Sequence, residues 1–264
     1  MKLKLAQGKS RRILDFVINW LTQFWDPIRF LRACVNLPAF LKDWRTYSGL
    51  PGAEPIHLLD TGPQLHDRTT RTLLDAHYFH LGGWAFRLIV RESPLLHVDV
   101  GSHHLFVSML AAVVPVAFVD LRPFPFQAIG VVQTAAGIRR LPFGDGSISS
   151  LSCLHVAEHI GLGRYGDALD PLGTRRAASE LQRVLAPGGA LYFALPVGTH
   201  RLCFNSHRVH HPEQIVEFFP TLRLAGFSAV SDTGILFQDA YLTDFGHARN
   251  ACGLYHFVKP AQCT

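Results

Sequence analysis

The stretch LLHVDVGSHHLFVSMLAAVVPVAFVD, residues 95–120, decides the architecture. Its two ends, 95–100 and 114–120, are short apolar runs with the length and β-branched content of buried strands. Between them lie a glycine turn and the helical run HLFVSMLAAV. A strand, a helix and a second strand in this order build a parallel pair. Working outward, a short strand is expected near Gly130–Gln133, and SLSCLH (150–155) reads as another, followed by a long polar loop. Arg175–Leu185 carries apolar residues at Ala178, Leu181, Val184 and Leu185 and reads as a helix, and GALYFALP (189–196) follows as a strand. A helix near Pro212–Phe219 and strands near Phe227–Asp232 and Gly253–Val258 complete the pattern. Strands alternating with helices predict an open α/β sheet, mostly parallel and covered on both faces.

Composition narrows the class. With 48% apolar and 17% charged residues the chain is not intrinsically disordered. Its 264 residues hold one large domain or two small ones. Cys34, Cys153, Cys203, Cys252 and Cys263 form no CxxC pair, which fits reduced thiols in a cytoplasmic protein rather than a disulfide framework or zinc ribbon. The net charge of +5 is local: residues 1–50 carry +6 and residues 51–264 carry −1. The main domain therefore has no basic bias, and nucleic acid is not an expected partner.

Three regions are expected: a helical arm (1–45), a connector with a helix (46–94) and the α/β domain (95–264). In the arm, Lys2, Lys4, Lys9, Arg11 and Arg12 precede an apolar stretch, but Asp15 and Asp26 interrupt it and no small-residue cleavage site follows. No uncharged run reaches the ~18–20 residues that span a bilayer. Ile13, Phe16, Val17, Trp20, Leu21 and Phe24 recur at helical spacing behind Ser10 as N-cap. Asp26-Pro27 then opens a second helix, which Pro38 is expected to end. Two readings follow. The arm is a cap packed on the main domain, or a basic, Trp-rich surface that meets an anionic membrane, which would place the protein at the inner face of that membrane. Residues 46–70 read as a connector, and Thr70–Arg91 as helical.

In open α/β sheets ligands bind beyond the carboxyl ends of the strands. The unusual polar residues cluster at such positions: Asp99, Gly101, Ser102, His103 and His104 after the first strand, and Asp120 and Arg122 after the second. Phe143, Gly144, Asp145 and Gly146 sit ahead of the fourth strand, and His155, Glu158, His159 and GLGRYGD (161–167) beyond it. PVGTHRLCFNSHRVHH (196–211) follows the fifth.

The order HVDVGS, then Asp120, then LPFGDGS, then ELQRVLAPGGALYFALP resembles the class I S-adenosylmethionine-dependent methyltransferases over about residues 95–260. The ELxRVLxPGG segment, Glu180–Gly189, is its most specific local match. SLSCLHVAEHIGLGRYGD and FNSHRV, with HYFHLGGWAFR further back, resemble an uncharacterised branch of that superfamily whose members occur among genes for surface-glycan assembly. The resemblance implies a Rossmann-like sheet with a helical N-terminal extension, and S-adenosyl-L-methionine as cofactor. It implies cofactor contacts at Asp99, Gly101 and Ser102, a ribose-binding carboxylate at Asp120, and adenine contacts at Phe143 and Asp145. Ser102 and His103 stand where the family has further glycine. For each aspartate the competing reading is a turn or cap residue. A nicotinamide-binding domain fits the Gly101-to-Asp120 spacing, but GSHHLF lacks the second and third glycines that let backbone approach a pyrophosphate.

HVAEH (155–159) matches the H-x-x-E-H metal motif, and HRVHH (207–211) holds a further His pair; both bind zinc only from one helical face. Structural histidines are the competing reading, and a metal is left open. Methyl transfer to an alcohol calls for a base, because a neutral hydroxyl is a poor nucleophile. His155, Glu158, His159 and Asp167 are the catalytic candidates, with an imidazole as base and Glu158 orienting it or binding a hydroxyl. Arg164, Tyr165, His207 and Arg208 are candidates for holding a polar or anionic acceptor. The expected function is O-methylation of a sugar, nucleotide sugar or glycan precursor. The second reading is a methyltransferase-like binding or scaffold protein of glycan assembly that does not turn over.

Overall fold

The computed structural model describes residues 17–18, 21–22, 25–70, 72 and 74–261. The chain divides into two compact units, Met1–Leu73 and Leu74–Thr264.

In the first unit, α1 (Pro27–Ser48) starts where Asp26 accepts a hydrogen bond from the Arg29 amide at 2.9 Å, with Pro27 in the first turn. Pro38 does not end it, contrary to the sequence expectation. An interior proline removes one amide donor, here the one that would meet the Cys34 carbonyl, but the turns on either side are held by other contacts. Asn36 Nδ2 donates to the Leu65 carbonyl at 2.7 Å, and the Phe40 and Trp44 rings meet edge-on at 5.9 Å. The helix stops at Gly49, whose amide bonds back to Thr46 and Tyr47. Most of the helix expected over Ile13–Phe24, with its Ser10 cap, lies outside the described residues. Among the described residues no helix is long and apolar enough to cross a membrane.

Among its described residues the second unit holds ten strands: β1 (His97–Val100), β2 (Val116–Asp120), β3 (Val131–Ala135), β4 (Ile148–Leu154), β5 (Leu185–Val197), β6 (Arg201–Cys203), β7 (His207–Val209), β8 (Arg223–Val230), β9 (Leu236–Phe237) and β10 (Ala251–Val258). Eight form one sheet in the order β3-β2-β1-β4-β5-β10-β8-β9, while β6 and β7 pair as a separate hairpin. The first five are parallel, and β10 runs antiparallel between β5 and β8. The chain steps outward from β1 to β3 and then returns to lay β4 on the other side of β1. That reversal creates a crevice at the carboxyl ends of β1 and β4. This is the Rossmann-like, mostly parallel α/β sheet expected from the sequence.

Side chains alternate across the sheet, as strand geometry requires. Tyr192 and Ala194 of β5 face α2 (Ala76–Glu92) and α3 (His104–Ala111) in one core cluster, with Leu81, Trp84, Ala85, Ile89, Phe106 and Leu110. Phe193 and Leu195 face the other way, with α4 (Gly173–Val184) and α5 (Pro212–Phe218), against Ala178, Leu181 and Ile215. Each such large side chain contributes roughly 1.5–3 kcal/mol on burial. The second helix starts six residues later than its sequence suggests. Asp75 sets the start by accepting from the His77 and Tyr78 amides at 2.9 and 3.2 Å. That cap places both rings in the first turn.

Candidate active site

All four residues of β1 are buried. His97 and Asp99 project together into the sheet beside β4. His97 Nδ1 lies 2.8 Å from Ser150 Oγ and Nε2 lies 2.8 Å from Ser152 Oγ, while Ser152 also bonds Asp99 Oδ2. Burial drives His97 down to about 3, so the ring is neutral. Burial likewise raises Asp99 to about 6, against the opposing pull of Ser152 and Ser102. Asp99 Oδ1 accepts the Ser102 amide at 3.0 Å, and Ser102 Oγ accepts the Leu154 amide at 3.1 Å. Asp99 and Ser102, both expected to touch a cofactor, are buried inside this turn and hold it in shape.

Gly101 closes the turn at φ +68, where a Cβ would sit 3.2 Å from Val156 and 3.4 Å from Asp120 Oδ2. The missing side chain keeps open the floor of a cavity of about 130 Å³. Val100, Asp120, Leu121, Ala136, Ile138 and Val156 line it, so one carboxylate stands among apolar walls. Asp120 Oδ1 accepts the Arg122 amide at 2.7 Å, and Arg122 lies 4.7 Å over the Tyr165 ring. Gly101, Asp120 and Val156 leave room for a nucleoside edge, and these residues fit the cofactor that the sequence implies.

A larger cavity of about 340 Å³ adjoins it. The two share Gly101, His155, His159 and Tyr165. Here β4 is followed by His155, whose φ of +58 is left-handed, a strained setting for a residue with a Cβ. The ring is held on every side. Nδ1 lies 2.9 Å from Glu158 Oε1, Nε2 lies 3.1 Å from Cys252 Sγ of β10, and His77 and Tyr78 of α2 pack on it at 5.8 and 5.3 Å. Glu158 is fully buried in a 3₁₀ turn (Ala157–His159), and its Oε2 meets no partner among the described residues. Burial works against charge on His155, but the Cys252 sulfur and the Glu158 carboxylate outweigh it and hold the imidazole well above its usual range. In Glu158 burial is outweighed in turn by His155 and His159, so the carboxyl stays below its usual range.

His159 Nδ1 stands 2.7 Å from the Ser206 carbonyl, and Nε2 stands 3.6 Å from Glu158 Oε1. Arg164 donates to the same Ser206 carbonyl at 3.1 Å, and its guanidinium lies 5.2 Å over Tyr165. His207, whose Nδ1 meets Ser206 Oγ at 2.8 Å, lines the cavity with Asn250 and His103. Burial lowers His207 below its usual range.

Besides Asp99 and Ser102, four expected site residues are not brought to these cavities. Phe143 and Asp145 precede β4 and lie at its opposite end. Arg183 of α4 holds that corner together, bonding Asp145 at 2.6 Å, Glu180 at 2.6 Å and the Phe143 carbonyl at 3.0 Å. Glu180 in turn accepts the Leu141 amide at 2.7 Å. The LPFGDGS and ELxRVL segments are thus two halves of one staple. Asp167 accepts the Gly161 amide at 2.6 Å and the Tyr165 amide at 3.4 Å, closing its own loop. Arg208 is buried, donating to the Ile160 and Asp170 carbonyls at 2.5 and 2.9 Å, and braces that loop from beneath. Neither histidine motif forms a zinc pair on a helix. The 3₁₀ turn sets Glu158 between His155 and His159, and in HRVHH only His207 reaches the cavity. Sequence reasoning gave no role to His77, Tyr78, Cys252 or Asn250. No local pattern marks them, since they come from α2 and from β10 and the residue before it, far away in the chain.

A family model described as "Caenorhabditis protein of unknown function, DUF268" matches residues 146–246. That span includes the Glu158 loop, α4 and the β6–β7 hairpin, but not Gly101 or Asp120. No curated protein matches the chain. Among solved structures, the chain is similar to the N-methyltransferase NodS from Bradyrhizobium japonicum WM9 in complex with S-adenosyl-L-homocysteine: 15% identity, 69% of this chain and 87% of that one, TM-score 0.49. It is also similar to the Burkholderia thailandensis 1,6-didemethyltoxoflavin-N1-methyltransferase (13% identity, 73% and 93%, TM-score 0.48). The [4+2]-cyclase SpnF stands at 14% identity, 67% and 82%, TM-score 0.47. These likenesses say nothing about activity, and the fold rests on the strand order.

Proposed function

We propose that the chain is an S-adenosyl-L-methionine-dependent methyltransferase acting on a hydroxyl of a sugar, nucleotide sugar or glycan precursor. One observation carries the reading. A recess at Gly101 and Asp120 shares its wall with a polar cavity lined by five histidines and a buried glutamate. At about 130 Å³ the recess is smaller than the roughly 300 Å³ of a usual ligand site, so its occupant extends past Gly101 into the second cavity. The cofactor supplies an electrophilic methyl group on its sulfonium. The chain supplies alignment of the acceptor and a place for its proton. His155 has both ring nitrogens engaged. His159 keeps Nδ1 on the Ser206 carbonyl, where it must donate, so Nε2 is the bare nitrogen that takes the acceptor proton. The imidazolium formed then faces Glu158 at 3.6 Å. Arg164, Tyr165 and His207 line the acceptor side.

Calorimetry with S-adenosyl-L-methionine and S-adenosyl-L-homocysteine tests the first half. Both should bind, and Asp120→Ala should weaken them about tenfold or more through loss of a charge-assisted hydrogen bond. A folded protein that binds neither overturns the reading. Release of the homocysteine product across a panel of nucleotide sugars and glycan fragments tests the second half. Binding without turnover on any acceptor supports the scaffold reading instead. Its structural ground is that Ser102 and His103, replacing motif glycines, serve the turn and the α3 cap.

For the first unit we propose contact with an anionic membrane surface. Trp25, Phe30, Leu31 and Val35 are exposed, and residues 1–50 carry a net charge of +6. Vesicles containing anionic lipid should recruit the full chain and release it at high salt; no recruitment rejects the proposal.

A further inference from the structure

We propose that His77, His155 and Cys252 form a zinc site whose fourth position opens into the polar cavity. The ligand atoms of these three residues all lie within 4.8 Å of one another. Around a tetrahedral zinc, with Zn–N of about 2.0–2.1 Å and Zn–S of about 2.3 Å, donor atoms stand roughly 3.3–3.7 Å apart. The His155 Nε2 to Cys252 Sγ distance is already 3.1 Å, so the pair opens slightly, and His77, no more than 4.8 Å from either, is near enough to close on the metal by a small shift.

The surroundings are those of a metal ligand. His155 aims Nε2 at the sulfur because Glu158 holds Nδ1 at 2.9 Å from the opposite side. A carboxylate on the far nitrogen is the usual support of a metal-bound histidine, since it fixes the tautomer and raises the basicity of the ligating atom. The His77 ring stacks against His155 at 5.8 Å, and the Asp75 cap of α2 fixes the backbone that carries it. Cys252 is fully buried in β10, which makes it a poor nucleophile toward a substrate in solution but no worse a ligand. One thiolate and two imidazoles suit a borderline-soft divalent ion such as zinc. Binding releases to solvent the His155 Nε2 proton and the Cys252 thiol proton, and bonds from the metal to that nitrogen and to the sulfur take their places. His77 and His155 also line the polar cavity, which gives the ion its entry path and an open position for water or a hydroxyl. Three protein ligands with one open position are the pattern of a catalytic rather than a structural zinc. The left-handed backbone at His155 fits this reading, because strain of that kind collects where a side chain must be aimed.

The site does not depend on methyl transfer, and its test uses neither cofactor nor acceptor. The untagged full chain is stripped with a chelator and titrated with zinc chloride by calorimetry. One equivalent is expected, with a rise in melting temperature. Cobalt chloride should give the near-ultraviolet charge-transfer band of a cobalt–thiolate bond. Cys252→Ser should abolish that band, and His77→Gln should weaken zinc at least tenfold. Glu158→Gln should weaken it about 10–100-fold without removing a ligand. Circular dichroism shows which variants are folded, and His77, which is not fully buried, provides a test if the Cys252 variant does not fold. Absence of stoichiometric zinc binding, or a cobalt spectrum unchanged in folded Cys252→Ser, overturns the proposal. Zinc binding without S-adenosyl-L-methionine binding leaves it standing and removes the methyltransferase reading alone.

Discussion

Two charged trios occupy opposite ends of β4, and each contains an acid and a base three residues apart. At the amino end Glu180 and Arg183 gather Asp145; at the carboxyl end His155 and Glu158 gather His159. The amino-end trio is complete in itself. Arg183 is met by two carboxylates and two backbone carbonyls, and the Asp145 side chain is 83% exposed. The carboxyl-end trio is not. Its carboxylate is 0% exposed, one oxygen has no partner among the described residues, and both imidazoles face a cavity. A polar cluster that satisfies itself at the surface holds a fold together. One that leaves a buried charge with unmet capacity has been built around something else.

Glu158→Gln gives the sharpest test of that contrast. It keeps the side-chain shape and removes the charge that stabilises a protonated imidazole. Methyl transfer should fall by roughly 10²–10⁴-fold while S-adenosyl-L-methionine affinity stays the same, read from initial rates and calorimetry on folded protein. Equal turnover would place the chemistry away from the carboxyl-end trio.

Between the two ends lies the buried pair of β1, which makes a prediction about pH. His97 sits at about 3 instead of 6.5, so between those values the unfolded chain binds the extra proton and stability rises with pH. Asp99 sits at about 6 instead of 3.8, so between those values the folded chain binds the extra proton and stability falls with pH. The two slopes oppose each other between about pH 4 and 6. Asp99→Asn removes one of them. From pH 7 to pH 4 the variant should lose about 3 kcal/mol more than wild type, measured by urea unfolding across that range. Parallel pH curves for the two proteins would contradict the burial argument.

At the amino end the effects should be smaller and confined to stability. Arg183→Ala should lower unfolding free energy by about 1–3 kcal/mol, since it unties two loop carbonyls and two carboxylates, with turnover of the folded protein unchanged. Asp145→Ala should change stability by no more than about 0.5 kcal/mol, as expected for an exposed ion pair. A loss of cofactor affinity in the Asp145 variant would restore the adenine contact that the sequence suggested.

The sheet was legible because it depends on local patterns. Apolar runs such as 95–100 and 114–120 give their period and length directly, and the glycine turn between β1 and α3 announces itself. The polar cluster in the loop after β4 was also legible, and His155, Glu158 and His159 do meet at one cavity. Other assignments went astray for physical reasons. Asp145 and Arg208 have the residue types of a binding site, but which end of a strand a turn occupies, and whether a guanidinium points inward to carbonyls, depend on tertiary packing. Pro38 shows the same limit, since the price of one lost hydrogen bond does not say what the rest of the helix gains. His77 and Cys252 carry no local signal, because only the crossing of α2 over the sheet brings them to His155.

The Ser150–His97–Ser152–Asp99 chain has a direction. An ionised Asp99 can only accept, so the single Ser152 proton points toward it, and the Ser152 lone pair must take a proton from His97 Nε2. His97 Nδ1 is then bare and accepts from Ser150. One carboxylate thereby selects the tautomer of a ring it does not touch and orients two hydroxyls, like a row of needles aligned by a magnet at one end. Once Asp99 takes up a proton it can donate as well as accept, and the whole row is free to turn over. The nitrogen resonances of His97, a ring that stays neutral near pH 6, would then shift as Asp99 titrates.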